Sequence, residues 1–355
     1  MKIYFFRNYA FLFLICVLTS ACHESKLDNT MFNSFKKEIK LESKSLNISE
    51  FYRIANLEII DTFLIVIDSH TTDNYISLFH KDNLNLIKSF CPRGKGPNEI
   101  SQVGTHAIDK ENRIINIINW DKNILWQYKI DSILCDSTYE PYSISFPQKH
   151  YPIYDLVINN KEEWYGIPHP EDSLILYFDQ SGKEIISFGS NLIAKKPINY
   201  KTQYSSSLPR IFACINHKIN KMVVAYLYFD ILSIYDLNYE NNVITRIGPD
   251  NINFEEQLQL KNKRYYGYFS HPRFDDKYIY VLYHGHQGFS LVDNNIVLYY
   301  PNEIFMFDWS GVPLRRIILD HSICSFVLDR EKQRLIAFTF DQEMSFITYD
   351  LKEFY

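Results

Sequence analysis

The sequence predicts an all-β protein, and two observations carry that prediction. First, short apolar runs rich in Ile, Val, Tyr and Phe recur along the 355 residues, each bounded by Asp, Asn, Gly, Lys or Pro. Second, helical periodicity is hard to find, and the best helix candidate, residues 254–263, is short. The runs interpreted as strands cover residues 63–67, 75–79, 114–118, 124–128, 174–178, 222–226, 231–235, 278–283, 304–307, 335–338 and 345–349.

These runs belong to a phrase that repeats six times: an apolar strand ending in an aromatic residue, a polar turn and a further strand. The copies begin at Leu78, Leu125, Leu176, Ile234, Met306 and Ile347. A weaker phrase, a strand, an Asp- or Asn-rich turn and a second strand, precedes most copies. Two hairpins per unit make a four-stranded antiparallel blade, so the chain is predicted to be a six-bladed β-propeller. The alternative is a β-sandwich or two small β domains, which the regular two-hairpin alternation disfavours.

The last repeat is cut short by the end of the sequence, so its blade needs a strand from elsewhere. Ile39 and Leu41 alternate with polar residues, as do Leu46 and Ile48. We therefore predict that an N-terminal strand closes the last blade, which would pair the two ends of the domain and leave no exposed edge. Uneven spacing of the copies predicts insertions in blades four and five.

The N-terminus has the order of a secretory signal. Lys2 and Arg7 supply a short basic start, residues 9–18 are apolar and uncharged, and the small residues 19–21 precede Cys22. The apolar stretch is too short to be a permanent membrane span. A cysteine directly after small residues is typical of a bacterial lipobox, in which the cysteine sulfur carries the lipid. The alternative is an ordinary cleaved signal followed by a chance cysteine.

The predicted organisation is therefore a lipoprotein signal peptide over residues 1–21, a flexible tether over residues 22–34 and the propeller over residues 35–355. The lipid on Cys22 would attach the protein to a membrane of the bacterial envelope, and we predict the outer membrane. The tether has one acid, Glu24, directly after the anchor, where tethers for surface export tend to carry several. This favours the periplasmic side.

Charge argues against a nucleic-acid partner. The formal net charge is −5, and the densest basic stretch, residues 36–40, already contains Glu38. Phosphate binding needs a concentrated basic face, which this sequence lacks.

The cysteines do not form a recognisable metal or redox motif. Beyond Cys16 and Cys22 the chain has Cys91, Cys135, Cys214 and Cys324, far apart and without CxxC or zinc spacing. Export would permit disulfides. However, these four fall in different predicted blades, so buried thiols are the expected state.

One motif has family content. The first predicted blade ends in Arg93, Gly94, Lys95, Gly96, Pro97, Asn98 and Glu99. This stretch resembles the RGxGPxE segment of bacterial lipoproteins with a TolB-like six-bladed β-propeller, and the resemblance extends over lipobox, tether and repeats. It implies fold and envelope location more than activity. Where that family often has Gly after the Pro, this chain has Asn98, which can also adopt a left-handed conformation. A phosphate loop is excluded, because Pro97 removes a backbone donor and no helix follows.

A ligand surface is predicted where the blade connections and the loops between second and third strands open on one face. The candidate residues there are His70, His106, Trp120, Asp121, His169, Arg210, His271, Arg273, His284 and His286. His284 and His286 are the best metal candidates, because strand alternation would place both imidazoles on one side. Two ligands do not make a site, so no metal and no cofactor are predicted.

The sequence contains no GxSxG, HExxH or nucleophilic Cys–His signature, and no carboxylate pair stands out as catalytic. We therefore predict a lipid-anchored binding or scaffold module for a protein, peptide or glycan rather than an enzyme. The alternative is an envelope carbohydrate-active enzyme, a glycosidase or lyase on a propeller fold. A third interpretation is a structural partner of a larger outer-membrane assembly.

Overall fold

The computed structural model describes residues 27–48, 50, 52, 55–147, 153–158, 163–168, 173–190, 210–238, 242–250, 265–292, 295–340 and 345–354. In these residues the strands form six sheets, which are the six blades of a propeller. The first strand of each blade lines a common central channel. The predicted all-β, six-bladed architecture is confirmed.

The chain begins with three short strands that belong to later blades, and then builds blades 1 to 3 in order. The N-terminal strands are β1 (Leu27–Met31), β2 (Lys37–Leu41) and β3 (Lys44–Leu46). Blade 1 consists of β4 (Ala55–Ile60), β5 (Phe63–Asp68), β6 (Asn74–His80) and β7 (Leu86–Pro92). Blade 2 consists of β8 (Val103–Asp109), β9 (Ile114–Asn119), β10 (Ile124–Lys129), helix α1 (Ile130–Cys135) and β11 (Tyr142–Ser145). Blade 3 consists of β12 (Ile153–Ile158), β13 (Trp164–Pro168), β14 (Ser173–Phe178) and β15 (Glu184–Ser190).

Blades 4 to 6 complete the ring. Blade 4 consists of β16 (Ile211–Asn216), β17 (Lys221–Tyr226), β18 (Ile231–Asp236) and β19 (Val243–Ile247). Blade 5 consists of β20 (Tyr265–Phe274), β21 (Tyr278–Val292), β22 (Asn295–Leu298), β23 (Glu303–Asp308) and β24 (Pro313–Leu319). Blade 6 contributes β25 (Ile323–Asp329), β26 (Arg334–Thr339) and β27 (Ser345–Asp350). Every apolar run predicted as a strand lies within one of these elements.

Blade 6 takes its outer strand from the N-terminus, as predicted. β3 pairs antiparallel with β27, with Leu46 opposite Phe346. Apolar side chains also fill all six interfaces between neighbouring blades, including the interface between blades 6 and 1. In that interface Ile336 and Phe338 pack in one cluster with Leu64 and Phe79. The ring is therefore closed both by backbone pairing and by burial of apolar area.

The N-terminal segment does more than close blade 6. β1 pairs parallel with β19 of blade 4, and β2 pairs parallel with β24 of blade 5. Phe32, between these strands, is buried and packs edge-to-face on Phe307. The interpretation of residues 22–34 as a tether is therefore wrong for Leu27–Met31 and Phe32. The polar sequence of these residues did not predict a strand. An outer strand needs few apolar side chains, and β1 forms because it pairs with β19.

Blade 2 differs from the predicted strand–turn–strand pattern after β10. Helix α1 follows directly and buries Ile130 and Ile133, three residues apart on one helix face, against the interface with blade 1. The fourth strand, β11, begins only at Tyr142. The helix predicted over residues 254–263 lies outside the described residues.

Blade 5 carries the predicted insertion. β21 continues past Tyr283, and the chain then reverses to form β22, which pairs with one edge of β21. The first residues of β20 pair with the opposite edge of β21. We call this three-stranded extension, residues 265–267, 286–292 and 295–298, the flap. Because β21 runs toward the face where the inner strands begin, the flap projects from that face.

The four cysteines within the described part of the chain are free thiols, of which Cys91 and Cys214 are buried. Burial raises the pKa of each of these two thiols to about 12, which makes both unreactive at neutral pH. Among the described helices, none is long and apolar enough to cross a membrane.

Candidate functional site

The Arg93–Glu99 motif forms a tight loop between blades 1 and 2. Gly94 N donates to Ile100 O at 3.0 Å, and Gly96 N donates to the Glu99 carboxylate at 2.7 Å. A side chain at Gly94 would collide with that carboxylate, since a Cβ there would lie 1.9 Å from Glu99 Oε2. Asn98 has a φ of 60°, so the left-handed conformation expected at this position is confirmed. Arg93 donates to Thr71 O at 2.5 Å, which ties the loop to blade 1.

The central channel forms a cavity in the described structure. It has a volume of about 1350 Å³ and is lined by residues of the inner strands and of the loops at both ends. We call the end where the inner strands begin the upper mouth; His70, Arg210, His284 and Tyr299 lie there. The opposite end, with Lys110, Lys218 and Arg330, is the lower mouth.

Seven of the ten predicted ligand-face residues line this channel: His70, His106, Trp120, Arg210, His271, Arg273 and His284. Asp121 is exposed in the 3-10 helix Trp120–Lys122 and does not line it. His169 lies outside the described residues, as does the side chain of His286. The sequence interpretation therefore located the channel and its upper mouth, while the role of each residue depends on its contacts.

His271 is at the centre of the upper half of the channel. It sits with Pro272 in a β-bulge of β20, where two residues lie opposite Val281 alone, and its φ is 47°. Such bulges re-aim a side chain. The ring stacks on Phe212 with a centroid distance of 4.5 Å, and Nε2 lies 3.3 Å from Asn56 Oδ1. Nδ1 is buried and has no hydrogen-bond partner among the described residues.

Positive groups surround this imidazole. Burial, together with the nearby positive groups, lowers the pKa of His271 well below its usual range. The neighbouring groups that contribute are Arg273, His284, Arg210 and His106. Five of the predicted residues, from blades 2, 4 and 5, thus lie close enough in the channel to interact electrostatically.

Arg273 is fully engaged in holding blades together. Its Nη1 lies 2.6 Å from Glu58 Oε1, Nη2 donates to Leu57 O at 2.9 Å, and Nε donates to Phe326 O at 3.0 Å. These bonds connect blade 5 to blades 1 and 6. Burial alone would raise the pKa of Glu58, but Arg273 and His106 outweigh it and lower the pKa to about 2. The Glu58–Arg273 ion pair therefore stabilises the packing of blade 5 against blade 1.

Sequence reasoning missed Glu58. The available signal was a carboxylate between the apolar residues Leu57 and Ile59 of an inner strand, because a buried charge needs a partner. Its partner, however, lies more than two hundred positions away in the sequence, so the pair could not be identified before the blades were placed.

Asp155 makes a second set of contacts between blades, which connects blades 2, 3 and 4. Its Oδ1 accepts hydrogen bonds from Thr105 Oγ1 at 2.8 Å and Leu156 N at 2.9 Å, and its Oδ2 accepts one from Ala213 N at 2.6 Å. Burial outweighs these bonds and raises the pKa of Asp155 to about 6.

This shift predicts a pH-dependent stability. The carboxyl has a pKa near 3.9 when unfolded and about 6 when folded, so its protonated form is favoured by the fold. Its contribution is complete at low pH and is lost as the pH rises through about 6. Between about pH 5 and pH 7 this one group should reduce the free energy of unfolding by roughly 1–3 kcal/mol.

The measurement is urea unfolding of the wild type and Asp155→Asn at several pH values. We expect a shallower decline for the variant, since asparagine cannot ionise. Carbon-13 NMR of the carboxyl should independently give a midpoint near 6. Identical pH slopes for the two proteins would contradict the prediction.

Trp120 has a packing role at the upper mouth. Its ring lies directly over Gly104, where a Cβ would be 1.9 Å from ring atoms, and its Nε1 donates to Ile153 O at 3.0 Å. Gly104 is therefore required for this close approach. The indole seals the junction between blades 2 and 3 while part of it remains accessible to the channel.

His284 and His286, the best metal candidates of the sequence, do not lie on a regular strand. Tyr283 pairs with Phe269 and His286 pairs with Gly267, so His284 and Gly285 together lie opposite one residue, and Gly285 has a φ of 58°. Regular alternation, the premise for the pair, does not hold at this bulge. His284 Nε2 instead lies 3.1 Å from Ser270 Oγ. Within the described ranges, no three His, Cys, Asp or Glu side chains are grouped so that they could hold a metal.

Comparisons with known proteins agree with this architecture. The fold is similar to that of a Bacteroides fragilis protein provisionally described as exported, with a TM-score of 0.56 and 10% identity, covering 91% of this chain and 99% of that chain. It is also similar to a member of the DUF4221 family from Bacteroides vulgatus, with a TM-score of 0.57 and 9% identity, covering 87% and 95%. At these identities the likeness concerns the fold alone. No curated protein matches the sequence.

A sequence model of one family, described as TolB-like 6-blade propeller-like, matches residues 31–331. The matched range begins at the end of β1, runs through blades 1 to 5 and ends in the first hairpin of blade 6. It agrees with the resemblance carried by the Arg93–Glu99 motif and with the closed ring of six blades. The chain belongs to the TolB-like 6-blade propeller-like family.

Proposed function

We propose that this protein is an exported, lipid-anchored binding module that receives an extended peptide segment of a partner protein at the upper mouth of its channel. The observation that carries the proposal is the combination of an open channel with the flap beside its mouth. Leu298 and Tyr299 are 53% and 43% exposed, and both line the channel. Exposed apolar side chains beside a polar cavity are typical of a protein-binding site.

The flap also supports a peptide rather than a compact ligand. β22 pairs with β21 alone among the described strands, so its other edge has backbone groups available for an added strand. Extended peptides bind such edges through main-chain hydrogen bonds, while side-chain pockets supply specificity. The adjacent channel would provide those pockets.

The channel carboxylates argue for binding over catalysis. In the upper half, the channel-lining carboxylates within the described part of the chain are Glu58 and Asp155. Glu58 is paired with Arg273, and Asp155 accepts three hydrogen bonds. Both carboxylates therefore serve contacts between blades, which favours binding over the paired acid and base of a glycosidase.

The proposal is tested by placing a photo-crosslinking amino acid, benzoylphenylalanine, at Tyr299 of the mature protein. Peptides selected from a random display library on the wild-type protein are then offered to this variant. Tyr142, which is 67% exposed on the outer strand of blade 2, provides the matched control position. We expect crosslinking from Tyr299 and none from Tyr142. A library without binders, or equal crosslinking from both positions, would contradict the proposal.

Anchoring gives a separate prediction. Cys22→Ser should release the protein from the membrane pellet into the soluble fraction, because the acyl chains supply the membrane affinity. Cys135→Ser, a change at an exposed thiol in α1, is the control and should leave the protein in the pellet. Fractionation of the producing cells followed by immunoblotting measures the outcome. A Cys22→Ser protein that still pelleted with membranes would show another mode of attachment.

A further inference from the structure

Some polar groups of the upper channel make hydrogen bonds or ion pairs between blades, and others make none with the described residues. Glu58, Arg273 and Asp155 are engaged in bonds between blades, as described above. Arg210 is different: it is exposed at the upper mouth, and its guanidinium has no hydrogen bond or ion pair with the described residues. The Nδ1 atom of His271 is likewise left without a partner there.

The positive charge of Arg210 is not used by the fold. Glu58 is paired with Arg273, and Asp155 is held by hydrogen bonds from Thr105, Leu156 and Ala213, so neither carboxylate makes an ion pair with the guanidinium of Arg210. An exposed arginine beside a low-dielectric cavity attracts a carboxylate, which it can bind through two parallel hydrogen bonds.

We propose that Arg210 and His271 form a carboxylate subsite at the upper mouth, which recognises an acidic side chain of the bound peptide. This inference rests on the proposed function and specifies the chemistry of its ligand. Arg210 supplies the permanent charge. His271 supplies the group that can take up a proton: its Nε2 lies 3.3 Å from Asn56 Oδ1, and its buried Nδ1 has no partner among the described residues, so a proton bound there would add a second positive charge beside the channel.

The surroundings of His271 explain why it would gain this proton only with the ligand. The charged and titratable groups around it are Arg273 on its own strand, His284 on β21, Arg210 before β16 and His106 on β8. All of these disfavour the imidazolium, and Asn56 and Phe212 add no charge. A carboxylate beside the ring would counter them, so binding should take up a proton and strengthen as the pH falls.

The test uses the mature protein with fluorescein-labelled hexaglutamate, and with hexaglutamine as the uncharged probe, followed by fluorescence anisotropy. We expect hexaglutamate to bind and hexaglutamine not to bind. Arg210→Gln should weaken binding about tenfold or more, since hydrogen bonds to charged groups are the strong ones. Lys218→Gln is the matched control at the lower mouth, where Lys218 pairs with Asp276. It should leave the affinity unchanged.

The proton is tested with His271→Asn, because asparagine tolerates the left-handed backbone of this position. Wild-type affinity should increase several-fold between about pH 7.5 and pH 5.5, where glutamate carboxylates remain ionised. Asp155 has a pKa of about 6 and titrates in the same range, so the comparison is made in the Asp155→Asn background, in which His271→Asn should remove the increase. Far-UV circular dichroism establishes that both variants are folded, and Arg210→Lys, which keeps the charge, should recover part of the affinity.

Three outcomes would overturn the subsite. These are no binding of hexaglutamate, equal weakening by Arg210→Gln and Lys218→Gln, and Arg210-dependent binding of trigalacturonate in place of the peptide. The proposed function has its own readout: if library peptides crosslink at Tyr299 yet bind Arg210→Gln as well as the wild type, the peptide module stands and the carboxylate subsite is wrong. If no peptide crosslinks at Tyr299, the proposed function itself fails.

Discussion

Replacing Asp329 with alanine is expected to destabilise the fold by about 3–5 kcal/mol, because it removes the buried carboxylate that Lys81 and Arg334 share and leaves Lys81 paired with the exposed Glu331 carboxylate. Lys81 of blade 1 and Asp329 of blade 6 have side chains that are only 3% and 1% exposed, and their charged atoms are 3.3 Å apart. Arg334 completes the contact, with Nε 2.9 Å from the same carboxylate and Nη2 donating to Lys81 O at 2.9 Å. The network joins the first and last blades directly.

Burial would lower the pKa of Lys81, but hydrogen bonds and charge from Glu331 and Asp329 raise it instead, so the ammonium stays charged in the fold. Urea unfolding followed by tryptophan fluorescence measures the loss. Asp82→Ala is the control at the same junction, since Asp82 pairs with Lys332 on the surface, and its effect should be much smaller. Adding Lys81→Met to Asp329→Ala should restore part of the stability. Equal effects of the two alanine variants would contradict the prediction.

Deleting residues 23–46 should abolish cooperative folding. The deletion removes β3, which completes blade 6, together with Phe32, Ile39 and Leu41, which pack against blades 4 to 6. Burial of one large apolar side chain contributes about 1.5–3 kcal/mol, so several of them approach the roughly 5–15 kcal/mol by which a domain is stable. An open blade 6 would in addition expose the edge of β27 to other chains.

A shorter deletion, residues 23–31, is the matched comparison. It removes β1, whose Met31 is 55% exposed, but leaves Phe32 and both following strands. We expect this protein to unfold cooperatively with a modestly lower melting temperature. Thermal unfolding followed by circular dichroism separates the two deletions. A sharp transition of the longer deletion near the wild-type temperature would show that the N-terminal strands are dispensable.

The strands of the blades were predictable because their signal is local. Residues 63–67 and 222–226, for example, are β-branched and aromatic runs that a middle strand buries on both faces, and breakers mark their ends. The closing strand was predictable for a different reason: counting hairpins left one blade short, and Leu46 offered the alternation to fill it.

Elements whose stability comes from a distant partner escaped prediction. β1 is a polar segment that is a strand because β19 supplies its hydrogen bonds. Helix α1 is too short to be stable alone and forms because Ile130 and Ile133 are buried against blade 1. In both cases the decisive contact is made with a residue that local sequence does not identify.

The candidate site shows the same division. Sequence position alone put Arg210, His271 and Arg273 on one face of a ring, since inner strands begin there in every blade. Their different roles follow from the tertiary structure. Arg273 reaches Glu58 and is used by the fold, whereas Arg210 meets no acid among the described residues and is available to a ligand.

The sequence by itself determined the class of the protein: six repeats of short apolar strands, a closing N-terminal strand and a motif typical of one family. Hydrophobic periodicity and turn residues act over a few neighbouring positions, so they can be recognised in the sequence itself. Only the tertiary structure decided which charged groups neutralise one another in the channel, because the pairs Glu58–Arg273 and Lys81–Asp329 join blades that are far apart in the sequence. The strength of an ion pair depends on the distance between the two charges, and these charges come close only when the six blades close into a ring.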